Sequence, residues 1–169
     1  MEKSGLVQKR SPRKVQSSPI PRGSHLEELP ISELTRKHLQ KILSQKSIAH
    51  LWLFVSPVSE VATDIARAFL LEWLGARPDA TSHPDLLEVR TSGKAGLHSI
   101  ASIRNMLEQL SLSPLGSTGR AVLIDAADRM APVTANALLK ALEEPPPSTV
   151  IILATSPLPK ESRAGAREN

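Results

Sequence analysis

The sequence contains no cysteine and no tyrosine, and its 169 residues include only two Trp and two Phe. Without cysteine there can be no disulfide and no thiolate zinc site, which fits a reducing compartment. All four aromatics fall between Trp52 and Trp73, so Leu, Ile, Val and Ala must fill most of any core. No apolar run approaches the ~20 residues that a spanning helix needs, and the amino-terminal stretch lacks the apolar centre of a secretory signal. A soluble chain with no membrane partner is therefore expected, and it carries no internal repeat.

Acidic charge is nearly missing from one end. The chain has 21 Lys plus Arg against 17 Asp plus Glu, a formal net of +4 that suggests nucleic acid at first sight. Residues 1–25 hold six of the basic side chains (Lys3, Lys9, Arg10, Arg13, Lys14, Arg22) and one acid, Glu2. Residues 26–169 keep 15 basic and 16 acidic groups, a net of −1. The basic character thus belongs to a Ser/Pro-rich segment whose composition predicts a disordered tail. About 140 residues are left to fold, enough for one domain that buries roughly two-thirds of its unfolded surface.

That remainder alternates helical and strand patterns. Ser32 is a candidate N-cap ahead of Leu34, Leu39, Ile42 and Leu43, a helix predicted to end near Lys46. The run Leu51–Val55 predicts a buried strand that stops at Ser56-Pro57. Val61, Ile65, Phe69 and Trp73 then fall four apart before Gly75, a second helix. A loop from Arg77 to Pro84 precedes a short strand, Leu86–Val89. Ile100, Ile103, Leu107 and Leu110 mark a third helix, which ends before Pro114. A strand at 121–124, a helix opened by Pro132 and running to Glu143, and a strand at 149–154 complete the pattern. The alternation predicts an α/β domain whose largely parallel sheet is covered by helices on both faces.

In such folds chemistry gathers at the carboxyl ends of strands, so the first strand-to-helix turn is the place to test. A phosphate-cradling loop needs glycines at its first and sixth positions, followed by Lys and Ser or Thr. Those positions hold Ser56, Val61, Ala62 and Thr63, so only the hydroxyl is kept. A lysine beside a phosphate contributes on the order of 4 kcal/mol, and each missing positive-φ glycine adds roughly 1–2 kcal/mol of strain. A micromolar site totals about 8 kcal/mol, so the losses leave affinity weaker than about millimolar. The third strand delivers Asp125 where a P-loop enzyme holds magnesium, but Ala126 follows in place of the Glu that would polarise water. On its own Asp125 reads equally as a capping or loop acid, and Asp128 as a solvated or capping residue. The five His (25, 38, 50, 83, 98) show no pair at ligand spacing, and no Ser lies in a nucleophile elbow. Lys94 and His98 flank a glycine-punctuated loop and are expected at the solvated surface, with no aromatic nearby to stack on bases.

Three segments, in order, resemble one family. His50-Leu51-Trp52-Leu53-Phe54, then Val122-Leu123-Ile124-Asp125-Ala126-Ala127-Asp128-Arg129-Met130, then Asn136-Ala137-Leu138-Leu139-Lys140-Ala141-Leu142-Glu143-Glu144-Pro145-Pro146 with Ile151–Thr155 are similar to the AAA+ domain of bacterial clamp-loader subunits. Ser82-His83-Pro84-Asp85 also resembles the family's motif before the second strand, and the likeness runs from about Ser32 to Ser156. It implies a P-loop-type parallel sheet and a cytoplasmic component of the DNA polymerase III holoenzyme, a multisubunit DNA-directed DNA polymerase. Motor subunits of that family keep the phosphate loop and the Asp-Glu pair, whereas the delta prime subunit commonly loses them. The resemblance therefore implies a delta prime type that acts in sliding-clamp loading and has no catalytic residue, metal or cofactor of its own. Its degenerate nucleotide pocket would comprise Ser56, Val61, Ala62, Thr63, Asp125, Ala126 and Thr155. Its signature helix would carry Asn136, Leu138, Leu139, Lys140, Glu143, Glu144 and Pro145. Implied partners are motor and delta-type subunits, with DNA reached indirectly through the loader or through the basic tail. A gamma/tau-type ATPase and a truncated remnant acting as an interaction module are the rival readings.

The ending departs from the family. Ser162-Arg163 comes earlier than the family's Ser-Arg-Cys and lacks the Cys, so it is not assigned as the arginine that completes a neighbour's ATP site. The family's zinc module, lid and collar have no counterpart in these 169 residues. Residues 26–157 are expected to form the AAA+-like core and 158–169 an irregular segment, read as truncated or frameshifted in preference to a dedicated short form. Deleting residues 1–25 is expected to flatten the salt dependence of any measured DNA binding while leaving partner docking intact, as a filter-binding series across ionic strength would show.

Overall fold

A computed structural model describes residues 25–45, 48–116 and 118–157. The predicted basic tail, apart from His25, and the predicted segment from 158 onward lie outside the described residues. Helix α1 spans Glu33–Leu43, where Ser32 Oγ accepts from the Thr35 amide and Glu33 sits favourably in the first turn. It ends at Ser44, short of the predicted Lys46, where the serine hydroxyl donates to the Lys41 carbonyl. Strand β1 is Leu51–Val55 and helix α2 is Ser59–Trp73, closed by Gly75 at φ 72°. Strand β2 is Leu86–Val89, and helix α3, Ile100–Leu110, is capped by Ser99 on the Ser102 amide. Strand β3, Arg120–Ile124, leads into a single 3-10 turn at Ala127–Arg129 that the sequence pattern did not predict. Helix α4, Pro132–Glu143, starts on its proline as predicted, and strand β4 is Thr149–Thr155.

The four strands form one fully parallel sheet in the order β1-β4-β3-β2. Alternation along the strands sorts the core into two layers. Trp52, Phe54, Ala121, Leu123, Val150 and Ile152 face α1 and α2, where Phe69 lies fully buried between the rings of Trp52 and Phe54. Val122, Ile124 and Ile151 face α3 and α4 through Ile103, Met106 and Leu138.

One expectation fails at β1. Its apolar run predicts a buried strand, yet Leu51, Leu53 and Val55 are 38, 62 and 53 % exposed. Among the described residues β1 is an outer strand of the sheet, and these side chains share the face of Ile151 and Leu153, where α3 and α4 cover the interior of the sheet.

The amino ends of the strands are held by a buried charge. Asp85 is fully buried, and its carboxylate accepts from the amides of Leu115 (2.8 Å) and Gly116 (2.7 Å) and from Arg120 Nη2 (3.4 Å). Arg120 also donates to the carbonyls of Gln109 and Ser113, so the pair ties residues 109–116 to the start of β3. His83 Nδ1 accepts the Asp85 amide, which explains the Ser82–Asp85 motif as a local lock. At Gly119 a side chain is impossible, because a Cβ would collide with the Ser148 carbonyl oxygen. Burial resists ionisation of Asp85, but the Leu115 and Gly116 amides and then the Arg120 charge outweigh it, holding its pKa below the ordinary value. Asp85→Ala should therefore cost about 3 kcal/mol by stranding the buried Arg120. The stabilisation from a depressed carboxylate is present above its unfolded pKa, about 3.9, and is lost as pH falls through the folded value. Urea melts from neutral to acid pH should show the wild type losing this increment in that window and Asp85→Ala showing a flatter profile there.

Candidate functional site

The connection that leaves the carboxyl end of β1 is very short. Only Ser56, Pro57 and Val58 separate β1 from α2, and none of these three residues has positive φ. Their polar groups are used internally. The Ser56 amide donates to the Thr155 carbonyl, Ser56 Oγ accepts from the Val58 amide, and the amides of Val61 and Ala62 donate to the Val58 carbonyl. Proline has no amide to offer, and Glu60 places negative charge in the first turn, where an anion would otherwise be favoured. Thr63 keeps the hydroxyl of a phosphate loop but is buried, and its Oγ1 donates back to the Ser59 carbonyl at 3.2 Å.

Asp125 at the end of β3 is likewise engaged. Its Oδ1 accepts from the Thr91 amide at 3.1 Å, and His98 Nε2 donates to its main-chain carbonyl at 2.7 Å. Burial raises the Asp125 pKa, and the Thr91 amide followed by the charges of His98, Arg90 and Arg67 only partly offsets this. His98 was expected at the surface but is 4 % exposed, because that bond draws it beneath the end of β3. Ala126 adopts φ 39°, a left-handed conformation costing about 1–2 kcal/mol for a residue with a Cβ, and its carbonyl accepts from the Arg129 amide to form the 3-10 turn. Thr155 Oγ1 donates to Asp128 Oδ1 at 2.7 Å, tying the end of β4 to the same turn.

Between α2 and the ends of β2 and β3 lies a cavity of about 260 Å³. Of the seven pocket residues expected from the sequence, Thr63, Asp125 and Ala126 line it, while Ser56, Val61, Ala62 and Thr155 do not. Its wall is built from residues that the motif pattern does not single out. Arg67, 8 % exposed at its side chain, meets Glu88 with Nε at 2.6 Å and Nη2 at 3.3 Å, and reaches Asp64 through Nη1 at 2.8 Å. Arg90 closes on the same Glu88 carboxylate. Burial works against the Arg67 charge, but the hydrogen bonds and charges of Glu88 and Asp64 prevail and raise its pKa. Glu88 is held below the ordinary carboxylate value because Arg67 and Arg90 outweigh its own burial. The sequence does carry a signal for them as two anomalies, an arginine on the apolar face of α2 and a glutamate inside β2. The Thr63 hydroxyl, one Asp125 carboxylate oxygen and the amides of Ser56, Val58, Val61 and Ala62 are bonded within the protein. Among the described residues no group of three or more His, Asp or Glu could hold a metal ion.

The signature helix presents most of its residues outward. Asn136, Leu139, Lys140, Glu143 and Glu144 are exposed or half-buried, as is Pro145, and Leu138 points into the core.

Residues 31–160 match the family model described as "DNA polymerase III, delta subunit". The chain belongs to that DNA polymerase III family. It is 27 % identical over 151 residues to DNA polymerase III subunit tau of Bacillus subtilis (strain 168), covering 80 % of this chain and 26 % of the relative. To subunit gamma of Buchnera aphidicola subsp. Acyrthosiphon pisum it is 29 % identical over 130 residues, covering 68 % and 35 %. The crystal structure of a DNA polymerase III gamma subunit-related protein from Thermotoga maritima MSB8 matches with TM-score 0.48 and 27 % identity over 78 % of this chain and 48 % of that one. This DNA polymerase III domain thus spans a quarter to a third of its two curated relatives. Among its described residues no helix is long and apolar enough to cross a membrane.

Arg67→Met should destabilise the domain by about 3 kcal/mol, since it leaves Glu88 and Asp64 without their shared cation. The double variant Arg67→Met/Glu88→Leu should recover much of that loss, a coupling that chemical denaturation of the four members of the cycle measures directly.

Proposed function

We propose that this chain is a clamp-loader subunit of the non-hydrolysing, delta prime type, serving sliding-clamp loading in DNA replication. The observation that carries the reading is the β1–α2 turn: three residues long, without a positive-φ position, with its amides and the Thr63 hydroxyl bonded inside the protein. Ala126 after Asp125 supports it, because methyl cannot polarise an attacking water. The residues then act as scaffold. Arg67 and Glu88 hold α2 against β2, Thr155 and Asp128 hold the end of β4, and the subunit offers its partners a shape that does not depend on nucleotide. Its partners on this reading are the motor and delta-type subunits, with DNA engaged through the assembled loader, and the core runs over residues 26–157 as a cytoplasmic component.

A second reading, an ATP-hydrolysing gamma/tau-type subunit, is favoured by the two curated relatives, which carry the names tau and gamma. Titration calorimetry with MgATP separates the two. The delta prime reading expects no saturable heat below about 1 mM, whereas a site worth about 8 kcal/mol would saturate in the micromolar range and overturn it.

A further inference from the structure

Among the described residues only Ala126 and Ser148 combine a side chain with positive φ, and Ala126 is the one at the carboxyl ends of the strands. A residue in that state persists only where its surroundings over-determine it, and such residues gather at switch points. Four bonds surround Ala126. His98 Nε2 donates to the Asp125 carbonyl before it (2.7 Å), and the Arg129 amide donates to the Ala126 carbonyl itself (2.8 Å). The His98 amide returns to the Arg129 carbonyl (3.4 Å), and Thr155 Oγ1 donates to Asp128 Oδ1 (2.7 Å). The first three close a ring through His98, Asp125, Ala126 and Arg129. Rotation about φ of Ala126 turns the Asp125 carbonyl relative to the residues that follow, so the ring and the left-handed state exist together. The other allowed wells of an L residue are far from φ 39°, which makes the turn a two-state element.

We propose that residues 125–129 form a strained latch that couples the end of β4 to the segment entering α3: the Thr155–Asp128 bond helps hold Ala126 left-handed, and its loss lets Ala126 relax and releases His98. The two ends of the latch are unequal. The His98 side chain is fully enclosed, and its Nδ1 has no hydrogen-bond partner among the described residues, so the ring is anchored through Nε2. Asp128 is exposed, so its bond to Thr155 competes with water and is the one that opens first. Relaxation of Ala126 swings the Asp125 carbonyl away from Nε2 and breaks the ring. Two parts of the molecule move with it. His98 leads into Ser99, the residue that caps α3. Arg129 lines the cavity and lies across Gly96, where a Cβ would come within 2.9 Å of its Nη1. A change at Thr155, which does not line the cavity, is thereby carried to the cavity wall and to the start of α3.

Hydrogen exchange of the His98 Nε2–H, followed by nitrogen–proton NMR on the full chain, reads the far end of the latch, and the Arg129 amide in the same ring is the second probe. Thr155→Val keeps the shape of the side chain and removes the donor, and Asp128→Ala removes the acceptor. Each should speed exchange at both probes by at least about threefold, and the double variant should add nothing further, since the two changes break one bond. The amide of Leu123, buried in the middle of β3, should exchange as in the wild type and so reports on general loosening. Wild-type exchange at both probes in both variants would overturn the proposal. So would acceleration shared equally by Leu123, or effects of the two substitutions that simply add.

Discussion

The buried guanidinium of Arg67 sets the geometry of the strand ends. Helix α2 leaves the end of β1 at one edge of the sheet and must cross to β2 at the other, and Arg67 lies on the buried side of that crossing. Its charge is tolerable there only because Glu88 on β2 and Asp64 on α2 neutralise it. Once Glu88 is committed to Arg67, Arg90 joins the same carboxylate, and the upper end of β2 is fixed beside Asp125. Arg67, Arg90, Thr63 and Asp125 line the cavity at this end while bonded to other groups of the protein.

A second buried pair, Asp85 with Arg120, does the equivalent work at the amino ends. The two networks share no residue, and each joins an acid at β2 to a cation from another element. With Gly119 allowing β3 and β4 to start in close contact, they fix both ends of the sheet and leave its middle to apolar packing. β1 takes part in neither pair.

Local pattern made most of the fold legible. Ser32, Pro132 and Gly75 marked helix ends by mechanisms confined to a few residues, and each does so in the structure. What escaped were relations across the chain. Arg67 and Glu88 are 21 residues apart, Asp85 and Arg120 are 35 apart, and no periodicity connects them. The exposure of β1 escaped for the same reason: a continuous apolar run reads the same at an edge as in the middle, and only strand order decides. His98 was misplaced because its partner, a main-chain carbonyl, leaves no mark in the sequence. The left-handed Ala126 was hidden too, since glycine or asparagine would ordinarily announce that conformation.

On the proposed function, shape and stability at the strand ends owe nothing to nucleotide. Thermal unfolding in the presence and absence of MgATP tests it most directly, since a ligand at 100 times its Kd stabilises the native state by about 2.7 kcal/mol. Tm should stay constant as MgATP is raised to several times about 1 mM. A Tm that rises and follows a binding isotherm would contradict it.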